Sequence, residues 1–177
     1  MRKTLLITTA VAAGLVGVFA GPASAGTTTT TFTVTGSASG LTVSNPASAS
    51  AIATAAAGAS TASGSLGTIT VTDPRGSLAA TWTATVSSTD FTTGTATANE
   101  TVAKGSISYS SGAGTAAVGQ VGAMVPSVAA SLASSATAAT WAGVGNNTVT
   151  WNPTLTFTLL ASQVAGTYSG TITHSVA

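Results

Sequence analysis

The chain has 177 residues, of which 44% are hydrophobic and only 4% are charged. Its ionisable side chains are four Lys or Arg, three Asp or Glu and one His, and it has no Cys, which excludes disulfides, thiolate metal sites and cysteine nucleophiles. A formal net charge of +1 offers no basic surface for nucleic acid. These few ionisable side chains are too few to form most sets of metal ligands or acid–base catalysts. We therefore expect no metal, no cofactor and no enzymatic activity.

The first 25 residues have the pattern of a secretory signal peptide. Arg2 and Lys3 give a positive start, Leu5–Phe19 is almost wholly apolar, and Ala23-Ser24-Ala25 supplies small residues for cleavage before Gly26. The apolar run is shorter than the roughly 20 residues that a membrane-spanning helix needs, so a membrane anchor is the poorer interpretation. We therefore predict a signal peptide over 1–25, and a secreted mature domain over 26–177 without a transmembrane segment.

Apolar and hydroxyl residues alternate with a period of two through the mature chain, which predicts strands with one apolar face and one Thr- or Ser-rich face. The main runs are Thr31–Thr35, Thr68–Thr72, Leu78–Val86, Thr154–Leu159 and Thr167–Val176, and the shorter ones are Leu41–Val43, Ser106–Tyr109 and Thr148–Trp151. About eight short strands without a convincing amphipathic helix predict an all-β fold, a single antiparallel β-sandwich of Ig-like or Greek-key-like type.

Two stretches rich in Ala, Ser and Gly interrupt this pattern, at 47–64 and 112–146. Alanine favours helix, but neither stretch has large apolar residues at helical spacing. We predict the first as a loop that leads into a strand. The second is predicted as flexible loops around one or two strands, near Val125-Pro126 and Trp141.

A Pro-Gly turn, Asp73-Pro74-Arg75-Gly76, separates two of the predicted strands. In the structural interpretation the Asp73 side chain fixes the turn, and Arg75 hydrogen-bonds to carbonyls or to a carboxylate. In the functional interpretation the same residues contact an anion or a ligand. The structural one is favoured, because turn chemistry alone accounts for these residue types.

The candidate ligand-binding residues are Trp82, Trp141, Tyr168 and His174. Trp82 falls on an apolar strand face and is therefore first a core residue, as is Trp151. Trp141 lies in the Ala- and Gly-rich stretch and is the best candidate for an exposed ring that stacks on sugars. His174 shares its strand face with Tyr168, where a lone His is more often a packed side chain than a general base.

Catalysis and ice binding find little support in the sequence. A glycosidase pair would have to come from Asp73, Asp90 and Glu100, each of which lies beside a predicted turn or loop where carboxylates accept backbone hydrogen bonds. Threonine ladders can bind ice, but that needs identical strands at a fixed repeat, and no such period is visible.

Three segments resemble the WxL-type domains of Gram-positive bacterial surface proteins. Leu66–Gly76 is similar to a strand followed by the family's Asp-x-Arg-Gly turn, Trp82–Phe91 to its first Trp motif with a trailing Phe, and Ala165–Val176 to its closing Gly-Thr-Tyr strand. The family's Trp-x-Leu appears here as Trp82-Thr-Ala84 and His174-Ser-Val176, so the second Trp is missing.

This resemblance implies a β-sandwich that attaches non-covalently to peptidoglycan. We therefore expect a non-enzymatic protein of the cell envelope, secreted or wall-associated, whose partner is peptidoglycan, another wall polymer or other surface proteins. The alternative is a structural or self-associating surface protein without a specific glycan ligand, because so few charges leave strand edges poorly protected.

Overall fold

The structure is a computed structural model, which describes residues 31–37, 40–47 and 52–177. The predicted signal peptide lies outside these residues, and so does its cleavage site. Residues Val34–Ala177 form one compact unit. The described residues contain no α-helix, only two 3-10 turns at Ala98–Glu100 and Lys104–Ser106. Accordingly, none of them belongs to a helix long and apolar enough to cross a membrane.

The described part of the chain contains fourteen strands, joined by turns and loops. They are β1 Thr42–Ser44, β2 Thr61–Ser65, β3 Ile69–Asp73, β4 Ala80–Ser88, β5 Phe91–Thr92, β6 Thr101–Val102, β7 Ile107–Ser110, β8 Thr115–Ala116, β9 Val121–Pro126, β10 Ala130–Ser131, β11 Ala136–Val144, β12 Asn147–Trp151, β13 Thr154–Thr158 and β14 Ile172–Val176.

These strands form three four-stranded sheets with the orders β1-β3-β12-β8, β10-β7-β13-β2 and β14-β4-β11-β9, and β5 pairs separately with β6. Every pairing is antiparallel. Most neighbours within a sheet are distant in sequence, such as β3 with β12 and β4 with β11. The predicted all-β, antiparallel sandwich is confirmed.

The core follows the alternation of the sequence strand by strand. In β4 the residues Ala80, Trp82, Ala84 and Val86 are buried, and in β3 and β12 the alternate residues are buried in the same way. The threonines between them, such as Thr81, lie on the opposite face. Branched and aromatic side chains pack well on a pleated surface, which explains why these short runs fold as strands.

Three expectations about strands were wrong. Thr31–Thr35 forms no strand, since none of the described strands pairs with it, and Phe32 and Val34 are exposed. Leu78 is exposed because the turn after β3 continues through Ser77, whose hydroxyl accepts the Ala79 N–H, so β4 begins only at Ala80. The last strand begins at Ile172, because residues 167–171 form a loop that contacts the preceding chain through a bridge between Ser169 and Thr92 and through hydrogen bonds between Thr171 and Thr89.

The two Ala- and Gly-rich stretches differ in how well they were predicted. Residues 52–60 are loop and turn and lead into β2, as expected. In the stretch 112–146 the strands predicted near Val125-Pro126 and Trp141 are present as β9 and β11, but β8 and β10 occur where only flexible loops were predicted. Small residues are required there, because side chains at Gly122 and Gly143 would overlap the indole of Trp141.

The core makes a direct stability prediction at β13. Leu155 is fully buried, whereas Leu160, five residues further along, is 63% exposed. We expect Leu155→Ala to lower the free energy of unfolding by about 2–5 kcal/mol, because it removes buried methyl groups and leaves a cavity. The control Leu160→Ala should change it by less than about 0.5 kcal/mol. Equal losses in denaturant-induced unfolding would contradict the described core.

Candidate functional site

Three tryptophans from three strands stack in the core. Trp82 of β4 lies in the middle, with ring centroids 6.3 Å from Trp141 and 6.2 Å from Trp151 and interplanar angles of 11° and 20°. Each is at most 3% exposed. The expectation that Trp141 is exposed was therefore wrong: it faces inward as the cross-strand partner of Trp82, and no ring of this stack is open to a sugar.

The predicted turn after β3 is closed by an ion pair. Arg75 donates to Asp73 Oδ1 from its backbone N–H at 3.1 Å and from Nε at 2.7 Å, and its Nη2 lies 2.8 Å from Asp73 Oδ2. Nη2 also donates to the Thr81 carbonyl at 2.9 Å, and Gly76 has a φ of 64°. The Arg75 hydrogen bonds lower the pKa of the buried Asp73 carboxyl. The geometry matches the structural interpretation of this turn.

Asn147, which the sequence reading did not single out, connects this turn to the tryptophans. Its side chain is 2% exposed, and its backbone lies opposite Asp73 in the β3–β12 register. Trp82 Nε1 donates to Asn147 Oδ1 at 2.8 Å, and Asn147 Nδ2 donates to Asp73 Oδ2 at 3.4 Å. In the sequence Asn147 reads as the second half of an Asn-Asn turn, so only the pairing of β12 with β3 reveals its role.

A second polar contact lies at the other end of the stack. Trp151 Nε1 donates to the Tyr109 hydroxyl at 2.9 Å, and that hydroxyl lies 3.1 Å from His174 Nε2. Tyr109 and His174 are both buried, and His174 Nδ1 has no hydrogen-bond partner among the described residues. Burial raises the pKa of Tyr109 to about 12 and lowers the pKa of His174 to about 4. The imidazole is therefore neutral near neutral pH and is part of the packed core.

The carboxylates are also engaged within the fold. Glu100 Oε2 accepts hydrogen bonds from the backbone N–H and the hydroxyl of both Thr95 and Thr97, and those from Thr97 contribute most to lowering its pKa. Asp90 accepts the Lys104 backbone N–H at 2.8 Å. Among the described residues, no group of three or more His, Asp or Glu could hold a metal ion.

Among the described residues, a surface cleft of about 570 Å³ could hold a ligand. One wall is the segment 52–59, the other is the loop 160–170, and Phe91 and Phe157 lie between them in edge-to-face contact at 5.1 Å. None of the described residues that line the cleft is charged. It is therefore suited to an uncharged ligand with apolar groups.

The loop 160–170, which we call the cleft loop, is held in place by its own polar side chains. The Tyr168 hydroxyl lies 2.8 Å from the Val164 carbonyl and 3.2 Å from the Asn99 carbonyl. Gln163 donates from Nε2 to the Thr101 carbonyl at 2.6 Å and accepts the Leu160 N–H at 2.9 Å. Of the four candidate ligand-binding residues, Tyr168 alone lines this cleft, whereas Trp82, Trp141 and His174 lie in the core.

Comparison of the chain with protein-family models, with curated proteins and with solved structures finds no match. The resemblance to WxL-type domains therefore rests on the three sequence segments alone.

The contact between Asn147 and Trp82 leads to a test of the core network. Asn147→Leu keeps the branching at Cγ but leaves the buried Trp82 N–H without its acceptor, so we expect a loss of about 1–3 kcal/mol in the free energy of unfolding. The matched control is Asn146→Leu at the exposed neighbouring position, expected to cost less than about 0.5 kcal/mol. Denaturant unfolding followed by tryptophan fluorescence measures both, and equal effects would remove Asn147 from the network.

Burial of His174 predicts an acid-dependent loss of stability. The unfolded chain takes up the proton near its ordinary pKa of 6.5 and the folded chain only near a pKa of about 4, so stability is present above pH 6.5 and declines between these values. From near pH 7 to near pH 5 we expect a loss of about 2 kcal/mol from this group. Tyr109, the ionisable group that faces the imidazole, stays protonated throughout this range. Unfolding titrations of the native chain and of His174→Gln should differ in this slope, and parallel pH profiles would contradict the assignment.

Proposed function

We propose that this chain is a secreted, non-enzymatic protein of the bacterial cell envelope, which binds peptidoglycan or another wall polymer without a covalent bond. The observation that carries the proposal is the uncharged cleft between the segment 52–59 and the cleft loop. The signal-peptide pattern of residues 1–25 supports export, and the three WxL-like segments support a wall polymer as the ligand.

The chemistry of the cleft is compatible with such a polymer. Acetylated amino sugars and alanine-containing peptides present methyl groups, sugar faces and amides but few charges. Tyr168 gives partly exposed aromatic surface on which apolar faces can pack, while Phe91 and Phe157, which are 6% and 8% exposed, add only a small apolar area. Small residues such as Ala56 and Gly166 leave room for an elongated chain. Affinity would come from packing and hydrogen bonds, so we expect binding to change little with salt.

The arrangement of the three WxL-like segments adds support. The closing strand β14 pairs with β4, the strand of the first Trp motif, and Arg75 of the turn donates to the Thr81 carbonyl in β4. Segments that are far apart in sequence thus meet around one strand. We infer that these motifs build the fold, which in turn positions the cleft loop.

A non-enzymatic function is supported by the occupation of the ionisable groups. Asp73 is paired with Arg75, Glu100 is bound by two threonines, and His174 is buried against Tyr109. A general acid or base has to reach the proton that it transfers. None of these three side chains lines the cleft.

Blocking the cleft tests the proposal. Ala165 lines the cleft, and Ala161 is an exposed alanine at the other end of the same loop that does not line it. We expect Ala165→Trp to reduce the fraction of mature protein that sediments with purified cell walls by about tenfold, and Ala161→Trp to leave it unchanged, because only the first indole fills the cleft.

The outcomes of the sedimentation assay distinguish loss of the cleft contact from loss of wall binding as such. Equal retention of both variants would move wall binding away from the cleft. Recovery of the unaltered mature chain entirely in the supernatant, at low and at high salt, would refute wall binding itself. Thermal unfolding of each variant before the assay separates loss of binding from loss of the fold.

A further inference from the structure

The strand β9 (Val121–Pro126) forms an open edge. It is the outer strand of the sheet β14-β4-β11-β9, and within the part of the chain that the structure describes it pairs with β11 alone. With six residues it is the longest edge strand of the three four-stranded sheets in the described chain. A strand in this position presents a row of backbone N–H and C=O groups to any strand that can pair with it.

The register shows which backbone groups point outward. The Ser127 N–H donates to the Ala138 carbonyl at 3.3 Å, which makes this a hydrogen-bonded pair next to the Pro126–Ala139 pair. Because hydrogen-bonded and non-hydrogen-bonded pairs alternate in an antiparallel ladder, Val121, Ala123 and Val125 bond to β11. The backbone groups of Gly122, Met124 and Pro126 therefore face away from β11. Pro126 fits this assignment, since proline has no N–H to contribute and is tolerated at outward positions of edge strands.

The side chains of β9 offer little protection against pairing. Val121 and Val125 are 66% and 63% exposed. No Asp, Glu, Lys or Arg occurs anywhere in the sequence after Lys104. Natural edge strands are usually guarded by charges, prolines or bulges, and of these β9 has only Pro126 at its end.

We propose that β9 pairs with β9 of a second copy of this chain, antiparallel and about a two-fold axis at Met124. Each Met124 N–H then donates to the Met124 carbonyl of the other copy, and each Gly122 N–H donates to the Pro126 carbonyl of the other copy. The result is one continuous eight-stranded sheet across the dimer.

A second copy of this chain is the partner that fits β9, because the outward backbone groups of β9 are complementary to those of the same strand in another copy. Gly122 and Pro126 are equally spaced from Met124, so the two-fold axis places the proline, which offers only a carbonyl, opposite a residue that has an N–H. The same axis puts Val125 opposite Ala123 of the other copy on the outer face of the sheet. Two uncharged edges also meet without like-charge repulsion, which is the usual obstacle to edge pairing. This inference does not depend on wall binding, since it concerns a different part of the surface.

The first experiment measures association of the mature chain by sedimentation velocity. Four hydrogen bonds and a few valines form a small interface, so we expect reversible dimers that appear only as the concentration rises from about 10 μM to about 1 mM. Val125→Lys should weaken the dimer by about tenfold or more, because the two lysines lie diagonally across the new strand pair. Leu160→Lys is the matched control, since Leu160 is also 63% exposed but lies outside β9, and it should associate like the unaltered chain. A strict monomer throughout, or equal effects of both substitutions, would overturn the proposal.

The second experiment tests the register of the strand pair by disulfide formation. Because the sequence has no native Cys, only the introduced cysteines can form a disulfide. Ala123 and Val125 of opposite copies form a non-hydrogen-bonded pair in the proposed dimer, in which side chains lie close enough for a disulfide. Mixing Ala123→Cys with Val125→Cys under mild oxidation should therefore give a disulfide-linked dimer much faster than mixing Ala123→Cys with Leu160→Cys. Equal rates would exclude this pairing even if the chain dimerises.

Discussion

The hydrogen bond between Trp82 and Asn147 joins the two parts of the interior on which this fold depends. On one side of it is the stack of three indoles that fills the space between the sheets. On the other is the Asp73–Arg75 pair, which closes the turn before β4. Because a buried indole N–H that loses its acceptor costs free energy, the hydrogen bond to Asn147 favours the observed orientation of the central ring. The stack in turn determines where β4, β11 and β12 pack, so a single amide connects the turn to the core.

The interior holds few polar side chains, and most of them contact one another. Two of the three buried indole N–H groups have acceptors there, Trp82 at Asn147 and Trp151 at Tyr109, whereas Trp141 Nε1 has no partner among the described residues. Outside, threonine and serine replace the usual charged residues on the strand faces. Hydroxyl groups solvate a sheet but do not repel a neighbouring strand, which is why the exposed β9 edge is a consequence of the same composition.

The fold class could be predicted from the sequence because period-two alternation indicates which side chains share a face of a strand. Ile69, Trp82 and Leu155 are buried where that pattern predicts. Alternation says nothing about partners, however, and Thr31–Thr35 has the pattern without a strand to pair with it. For Trp141 the sequence predicts a nearby strand but an exposed ring, because its neighbours are small. Gly122 and Gly143 instead leave the space that its buried indole occupies.

The site was less predictable for a related reason. Tyr168 could be named from the sequence, but a cleft is formed by segments distant in the chain, here residues 52–59 and the cleft loop. Asn147 and Tyr109 carried no local signal, because their importance comes from the side chains opposite them. The cleft and the core hydrogen bonds both depend on contacts between residues that are distant in sequence. A single sequence gives little information about such contacts.

The positions of the two Trp-like motifs bear on what the missing second Trp means. Trp82 is buried in the stack, and His174, which stands where the resemblance places the second Trp, is buried against Tyr109. In this fold both positions serve the interior, so an aromatic residue at 174 would fill core volume and would not present a ring to a glycan. If the chain binds a wall polymer, the presence of His174 and not Trp at this position therefore has no direct effect on the contact surface. Its effect would be on the packing of β14 against β4, and hence on how firmly the adjoining cleft loop is held.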